Sequence, residues 1–255
     1  MPSRPRRHAL SIALMTGLLS GPATELGPVL LGLALLATPA VVHAQDSEAV
    51  GREAQAITVR LEGATQGSGV LVNRQGNRYT VLTAWHVVSA QRPGEEVAII
   101  TADGTQHQPE QESVRRIGAL DMAVLSFTSS KNYKVATIGD PRSVALGSAI
   151  YVSGYPLADQ TIPVRNLNFV KGDVVANGAG DAMRSQLLLY RNPTLPGMSG
   201  GAVLNARGEL VGIHLNAVRA DQISESTGKA VAIQVNQGLA IDAFSESTAS
   251  TTVQA

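Results

Sequence analysis

The chain has 255 residues, with 20 Lys and Arg, 20 Asp and Glu, five His and no Cys. A net charge of zero provides no basic stripe for nucleic acid, and the lack of Cys excludes a disulfide framework, a thiolate metal site and a cysteine nucleophile. Hydrophobic residues at 44% against 16% charged exclude a disordered polymer; with aromatics at 4%, the core must come mainly from Val, Ile, Leu and Ala.

Residues 1–44 read as a signal peptide. Arg4, Arg6 and Arg7 make a positive start, and apolar runs follow over 9–19 and 29–42, separated by Gly21-Pro22. Val42-His43-Ala44 sets small residues three and one before a cut that leaves Gln45 as the mature start. Neither run reaches the roughly 20 apolar residues that span a bilayer. An uncleaved anchor is the competing reading, and no stable membrane insertion is expected once the segment is removed. Export to the periplasm or the extracellular space follows. Removal takes away three Arg and one Glu, which leaves a formal charge of −2.

The mature chain reads as all-β. Ala56 to Leu61 alternates apolar and polar residues, the strand period. Gly67 to Val72 is a glycine-rich turn entering a strand, 73–77 is a turn, and 79–83 is the returning strand of a hairpin. Further short runs lie at 97–101, 122–127, 149–153, 168–175, 186–190, 202–204, 210–215 and 230–235. Turn signals such as Asp103-Gly104, Asp140-Pro141 and Arg207-Gly208 separate them. Many short strands at regular spacing predict a sandwich or barrel rather than βαβ units. Helix is expected only as a turn after His86 and near 237–244. Residues 241–255 are expected to be a disordered tail.

Gly197-Met198-Ser199-Gly200-Gly201 is the strongest chemical signal. Flanking glycines expose the serine hydroxyl and let the amides of residues 197 and 199 converge on one point, which suits a nucleophile beside an oxyanion hole. A plain glycine turn between strands is the bland alternative. Serine needs a base. His8 and His43 leave with the signal, and His107 reads as part of a solvated loop. His214 lies in a strand only 15 residues after Ser199. His86, at the end of a strand, is the better base. Asp121, at the entry to the apolar run 122–125, is the acceptor that would orient it. The order His86, Asp121, Ser199 rules against an α/β-hydrolase, which needs acid and then His after the serine, and against the subtilisin order.

Ser-Gly-Val-Leu-Val (68–72), Leu-Thr-Ala-Trp-His-Val-Val (82–88), Asp-Met-Ala-Val-Leu (121–125), Pro-Gly-Met-Ser-Gly-Gly-Ala-Val (196–203) and Leu-Val-Gly-Ile-His (210–214) together resemble the trypsin-like serine peptidases. The nearest likeness is to their bacterial, exported, disulfide-free branch, including the glutamyl endopeptidases. The resemblance implies a domain over 45–240, built as two six-stranded antiparallel β-barrels of the chymotrypsin type (about 50–135 and 136–240) with the active site between them. It implies His86 as base, Asp121 as orienter, Ser199 as nucleophile and the Gly197 and Ser199 amides as oxyanion hole. No cofactor or metal is implied, and the partner is a protein or peptide substrate, not nucleic acid. Met198 stands where digestive members carry the Asp that switches their zymogens, and Leu215 stands where a supporting serine is common. The resemblance also places Thr194, His214, Leu215 and Asn216 against substrate. Thr194 and His214 match the His and Thr with which glutamyl endopeptidases bind an acidic P1 side chain, so a Glu or Asp preference is one expectation. A catalytically inactive or gated peptide-binding homologue, an esterase, and a metal site built from His86, His107 and His214 are the rivals.

Overall fold

The computed structural model describes residues 47–90, 94–110, 112–160, 163–177, 187–223 and 230–245. The expected signal segment and the chain beyond 245 lie outside them. Helix α1 (Ser47–Ile57) leads into β1 (Thr58–Glu62), β2 (Gly67–Gln75), β3 (Arg78–Thr83), the one-turn helix α2 (Trp85–Val88), β4 (Ala98–Ile100), β5 (Gln106–His107), β6 (Arg115–Arg116) and β7 (Ala123–Thr128). The second half contains β8 (Ala149–Gly154), β9 (Asn168–Asn177), β10 (Leu187–Arg191), β11 (Ala202–Leu204), β12 (Leu210–Ile223) and β13 (Ala230–Ala240).

The second half closes as expected, into a six-stranded barrel of order β10-β13-β12-β11-β8-β9. The first half differs in detail. It is a seven-stranded sheet of order β5-β4-β1-β2-β3-β7-β6, curled as a half-barrel rather than a closed six-stranded one. Its outermost strands β5 and β6 are two residues each, too short to pair with one another across the seam. Strand alternation assigns the core. In β11, Val203 faces the interior of the barrel with Ile150, Val152, Val174 and Val211. Its neighbours Ala202 and Leu204 face the other way, into a cluster shared with Val59, Leu82 and Leu125 of the first sheet, as a period of two requires.

Two elements depart from expectation. Helix α1 was not anticipated. Its stripe Val50, Ala54, Ile57 is fully buried, and Ser47 Oγ lies 3.2 Å from Tyr151 Oη of the second half. A helix this short holds by such packing rather than by propensity. At the other end, 241–245 does not begin a disordered tail. Residues 242–245 form a helical turn, and Ile241 and Phe244 are buried in the core cluster that includes the first sheet. Near 237–240 the chain is strand, so the helical expectation holds only from 242. Among the described residues no helix is long and apolar enough to cross a membrane.

Candidate active site

Strand pairing brings the first two candidate groups together. β3 and β7 run antiparallel with Thr83 opposite Ala123, so the residues just after β3 meet those just before β7. His86 sits in α2, and Asp121 precedes β7 by two positions. Asp121 Oδ1 accepts the His86 backbone N–H at 2.8 Å, and Oδ2 lies 2.7 Å from His86 Nδ1. Partial burial opposes the Asp121 carboxylate. The two hydrogen bonds from His86 and the nearby Arg116 charge outweigh it and hold the pKa below the ordinary value. With Nδ1 engaged, His86 Nε2 is the ring nitrogen left for substrate chemistry.

Ser199 comes from the second half, in the loop before β11. Gly197 has φ +92° and Gly200 φ +83°, both in the region that L side chains rarely adopt. A Cβ at 197 would sit 2.6 Å from Leu157 N, and one at 200 would sit 2.2 Å from both Ser68 O and Thr83 Oγ1. Pro196 O accepts the Leu157 N–H at 2.8 Å. Because C=O and N–H of one peptide point opposite ways, the Gly197 N–H is turned away from residue 157. Among the described residues neither the Gly197 nor the Ser199 amide has a hydrogen-bond partner. Two free amides, the serine's own and that of the residue two before it, are what an oxyanion site needs.

The Ser199 hydroxyl donates to Leu215 O at 2.7 Å and makes no hydrogen bond to His86. Leu215 is the extra residue of a bulge: β12 pairs with β13 through His214 opposite Gly238 and then Asn216 opposite Gln237. Its carbonyl is therefore off the ladder and available to Ser199. Asn216 beside it is exposed.

Thr194 and His214, expected against substrate, are both buried, at 7% and 2% exposure. His214 Nδ1 lies 2.6 Å from Tyr190 Oη, and desolvation, aided by the His86 charge, lowers its pKa to about 4. The unfolded chain takes up that proton near 6.5 and the folded chain only near 4. The stability from keeping His214 neutral is thus complete above pH 6.5 and lost as pH falls toward 4. Thermal unfolding from pH 7 to 4 should show this as a slope worth about 3 kcal/mol that His214→Gln lacks; equal slopes would contradict it. His107 is not in a solvated loop. It lies in β5, with its ring 4.4 Å from Phe127 and Nε2 3.1 Å from Tyr133 Oη.

Two supporting residues escaped sequence reading. Ser68 is fully buried. Its hydroxyl donates to Gly197 O and accepts from Tyr155 N, both at 2.8 Å, and its amide donates to Ser199 O at 2.8 Å. Arg165 is buried between the halves. Nε donates to Pro156 O, Nη1 to Leu61 O and Nη2 to Gly67 O and Tyr155 O, at 2.7–3.1 Å, and Nη1 is paired with Glu62 Oε1 at 2.9 Å. All five donors of the guanidinium are used. Segment 155–157, on which the 196–197 peptide rests, is thereby tied to β1 and β2.

Residues 67–213 match the family described as "Trypsin-like peptidase domain". The chain is 25% identical over 185 residues to the "Serine protease Do-like HtrA" of Lactobacillus helveticus, covering 71% of this chain and 43% of that protein. It is 29% identical over 180 residues to the "Putative serine protease HhoA" of Synechocystis sp., covering 70% and 42%, and 26% identical over 171 residues to the "Serine protease Do-like HtrA" of Bacillus subtilis, covering 65% and 36%. The aligned region spans less than half the length of each of these relatives.

Proposed function

Because the chain belongs to the trypsin-like serine peptidases, we propose that it is an exported serine endopeptidase working through an acyl-enzyme. The observation that carries this reading is the conjunction of His86 held by Asp121 with two unengaged amides around Ser199. A peptide laid along 215–217 as an added strand donates its own N–H to Leu215 O and displaces the Ser199 hydroxyl from that carbonyl. Rotation about χ1 then turns Oγ to His86 Nε2. Nε2 takes the proton as Oγ bonds to the scissile carbonyl carbon, and the carbonyl electron pair moves onto oxygen, between the Gly197 and Ser199 amides. Asp121, its carboxylate ionised, stabilises the imidazolium through Nδ1. Collapse of the intermediate expels the amine, which leaves with the proton from Nε2. Water then attacks the ester by the same route, releasing the acid and restoring Ser199.

A specific observation favours a second reading. The Ser199 hydroxyl is already committed to Leu215 O, as a gated or inactive peptide-binding homologue would have it. A fluorophosphonate separates the two. Labelling of Ser199, with peptide cleavage that disappears in labelled protein, supports the endopeptidase; peptide binding without labelling supports the homologue.

Ser68 supports the oxyanion loop without touching substrate. Ser68→Ala frees the Gly197 carbonyl and leaves the Tyr155 N–H unpaired. Loss of one aligned oxyanion donor costs about 100-fold or more, so kcat should fall about 100-fold while KM changes little. Steady-state kinetics on one peptide check this, and an unchanged kcat would remove Ser68 from the loop's support.

A further inference from the structure

The hydrogen bonds behind Thr194 determine where its proton lies, and those behind His214 support an assignment of its tautomer. Asn236 Nδ2 lies 2.7 Å from the backbone carbonyl of Asn192 and 2.6 Å from its Oδ1. A backbone carbonyl only accepts, so that end of the Asn236 amide is the nitrogen and the other end is the oxygen. Asn236 Oδ1 faces Thr194 Oγ1 at 2.7 Å. Thr194 must therefore donate its one proton to Asn236, and it has only lone pairs to offer elsewhere.

The same accounting applies to His214. Tyr190 Oη is 2.6 Å from His214 Nδ1 and 3.5 Å from Gln237 O. The Gln237 carbonyl is too distant to hold the proton of this buried hydroxyl well, so we assign that proton to Nδ1 and the imidazole proton to Nε2. His214 Nε2 has no partner among the described residues and is not among the sealed, unpartnered polar atoms, so this donor remains available. His214 pairs with Gly238 of β13, and Thr194 is bonded to Asn236, two residues earlier on the same face of that strand; together they offer one donor, one acceptor and no charge.

Resting on the endopeptidase reading, we propose that this pair selects a carboxamide, with Gln as the P1 residue, over the carboxylate of Glu. The Gln Oε1 accepts from His214 Nε2, and the Gln Nε2 donates to Thr194 Oγ1. A carboxylate makes the first bond but sets its second oxygen against the Thr194 lone pairs, and a neutral imidazole leaves its charge uncompensated in a buried site. The two side chains named for an acidic preference thus discriminate against it, because Asn236 and Tyr190 set their polarity.

The test uses internally quenched peptides identical except for Gln, Glu, Asn, Leu or Ala at P1, with kcat/KM measured for the purified protein at neutral pH. Sites that hydrogen-bond a substrate group reject analogues that leave it unpaired by large factors, so Gln should exceed Glu by about 100-fold. Thr194→Val, which cannot accept, and Tyr190→Phe, which releases the imidazole tautomer, should each cut that ratio at least about tenfold. Cleavage with Glu equal to Gln, or with Leu or Ala preferred, overturns the carboxamide site and leaves the endopeptidase standing. Absence of both cleavage and fluorophosphonate labelling at Ser199 overturns the endopeptidase reading and the site with it.

Discussion

Ser199→Ala should lower kcat by about 10⁶-fold and leave the fold intact. Losses of that size accompany removal of a nucleophile that works as a unit with its base. The methyl group of alanine occupies the same space as the serine Cβ, and the one bond lost is that to Leu215 O. That carbonyl lies beside exposed Asn216, so stability should change by less than about 1 kcal/mol. Peptide turnover and thermal unfolding of the two proteins, measured together, check both halves. Retained turnover would remove Ser199 as the nucleophile.

Asp121→Asn has nearly the same shape and should still cost about 10⁴-fold in kcat. The reason lies in what faces each oxygen. Oδ1 accepts a backbone N–H, which cannot become an acceptor. The asparagine must keep its oxygen there and turn its NH₂ toward His86 Nδ1. That nitrogen then accepts, the imidazole proton moves to Nε2, and Nε2 no longer receives the Ser199 proton. KM and the unfolding temperature should change little, which distinguishes a wrong tautomer from a damaged fold. A kcat within tenfold of the parent would show that Asp121 does not set the tautomer.

Much of this was legible in the sequence because it is local. The strands announce themselves by alternation and turns, and β11 falls on 202–204 as expected. The order His86, Asp121, Ser199 needs no geometry, and the structure brings His86 and Asp121 into contact through one strand register. What escaped depends on partners far along the chain. The i, i+4, i+7 spacing of Val50, Ala54 and Ile57 was present in the sequence, but three positions become a helix face only against a surface such as that of Tyr151. Ser68 read as part of a glycine-rich turn; its hydroxyl acceptor lies 129 residues on. Thr194 and His214 were singled out through the family resemblance, yet the polarity assigned to them depends on Asn236 and Tyr190, which carry no motif. The open first sheet reflects the short edges β5 and β6, whose composition does not separate them from loop.

The Arg165 clamp has a consequence for the life of the molecule before it is finished. Its acceptors come from residues 61, 67, 155 and 156, so it is complete only when the two halves have joined. His86 and Asp121 belong to one half and Ser199 to the other. On the roles proposed for them, a chain still being synthesised has His86 and Asp121 before Ser199 has been added, so the base waits for its nucleophile and for the loop that carries it. The proposed activity then requires both halves to have folded and joined, so an unfinished chain cannot cleave itself or its neighbours.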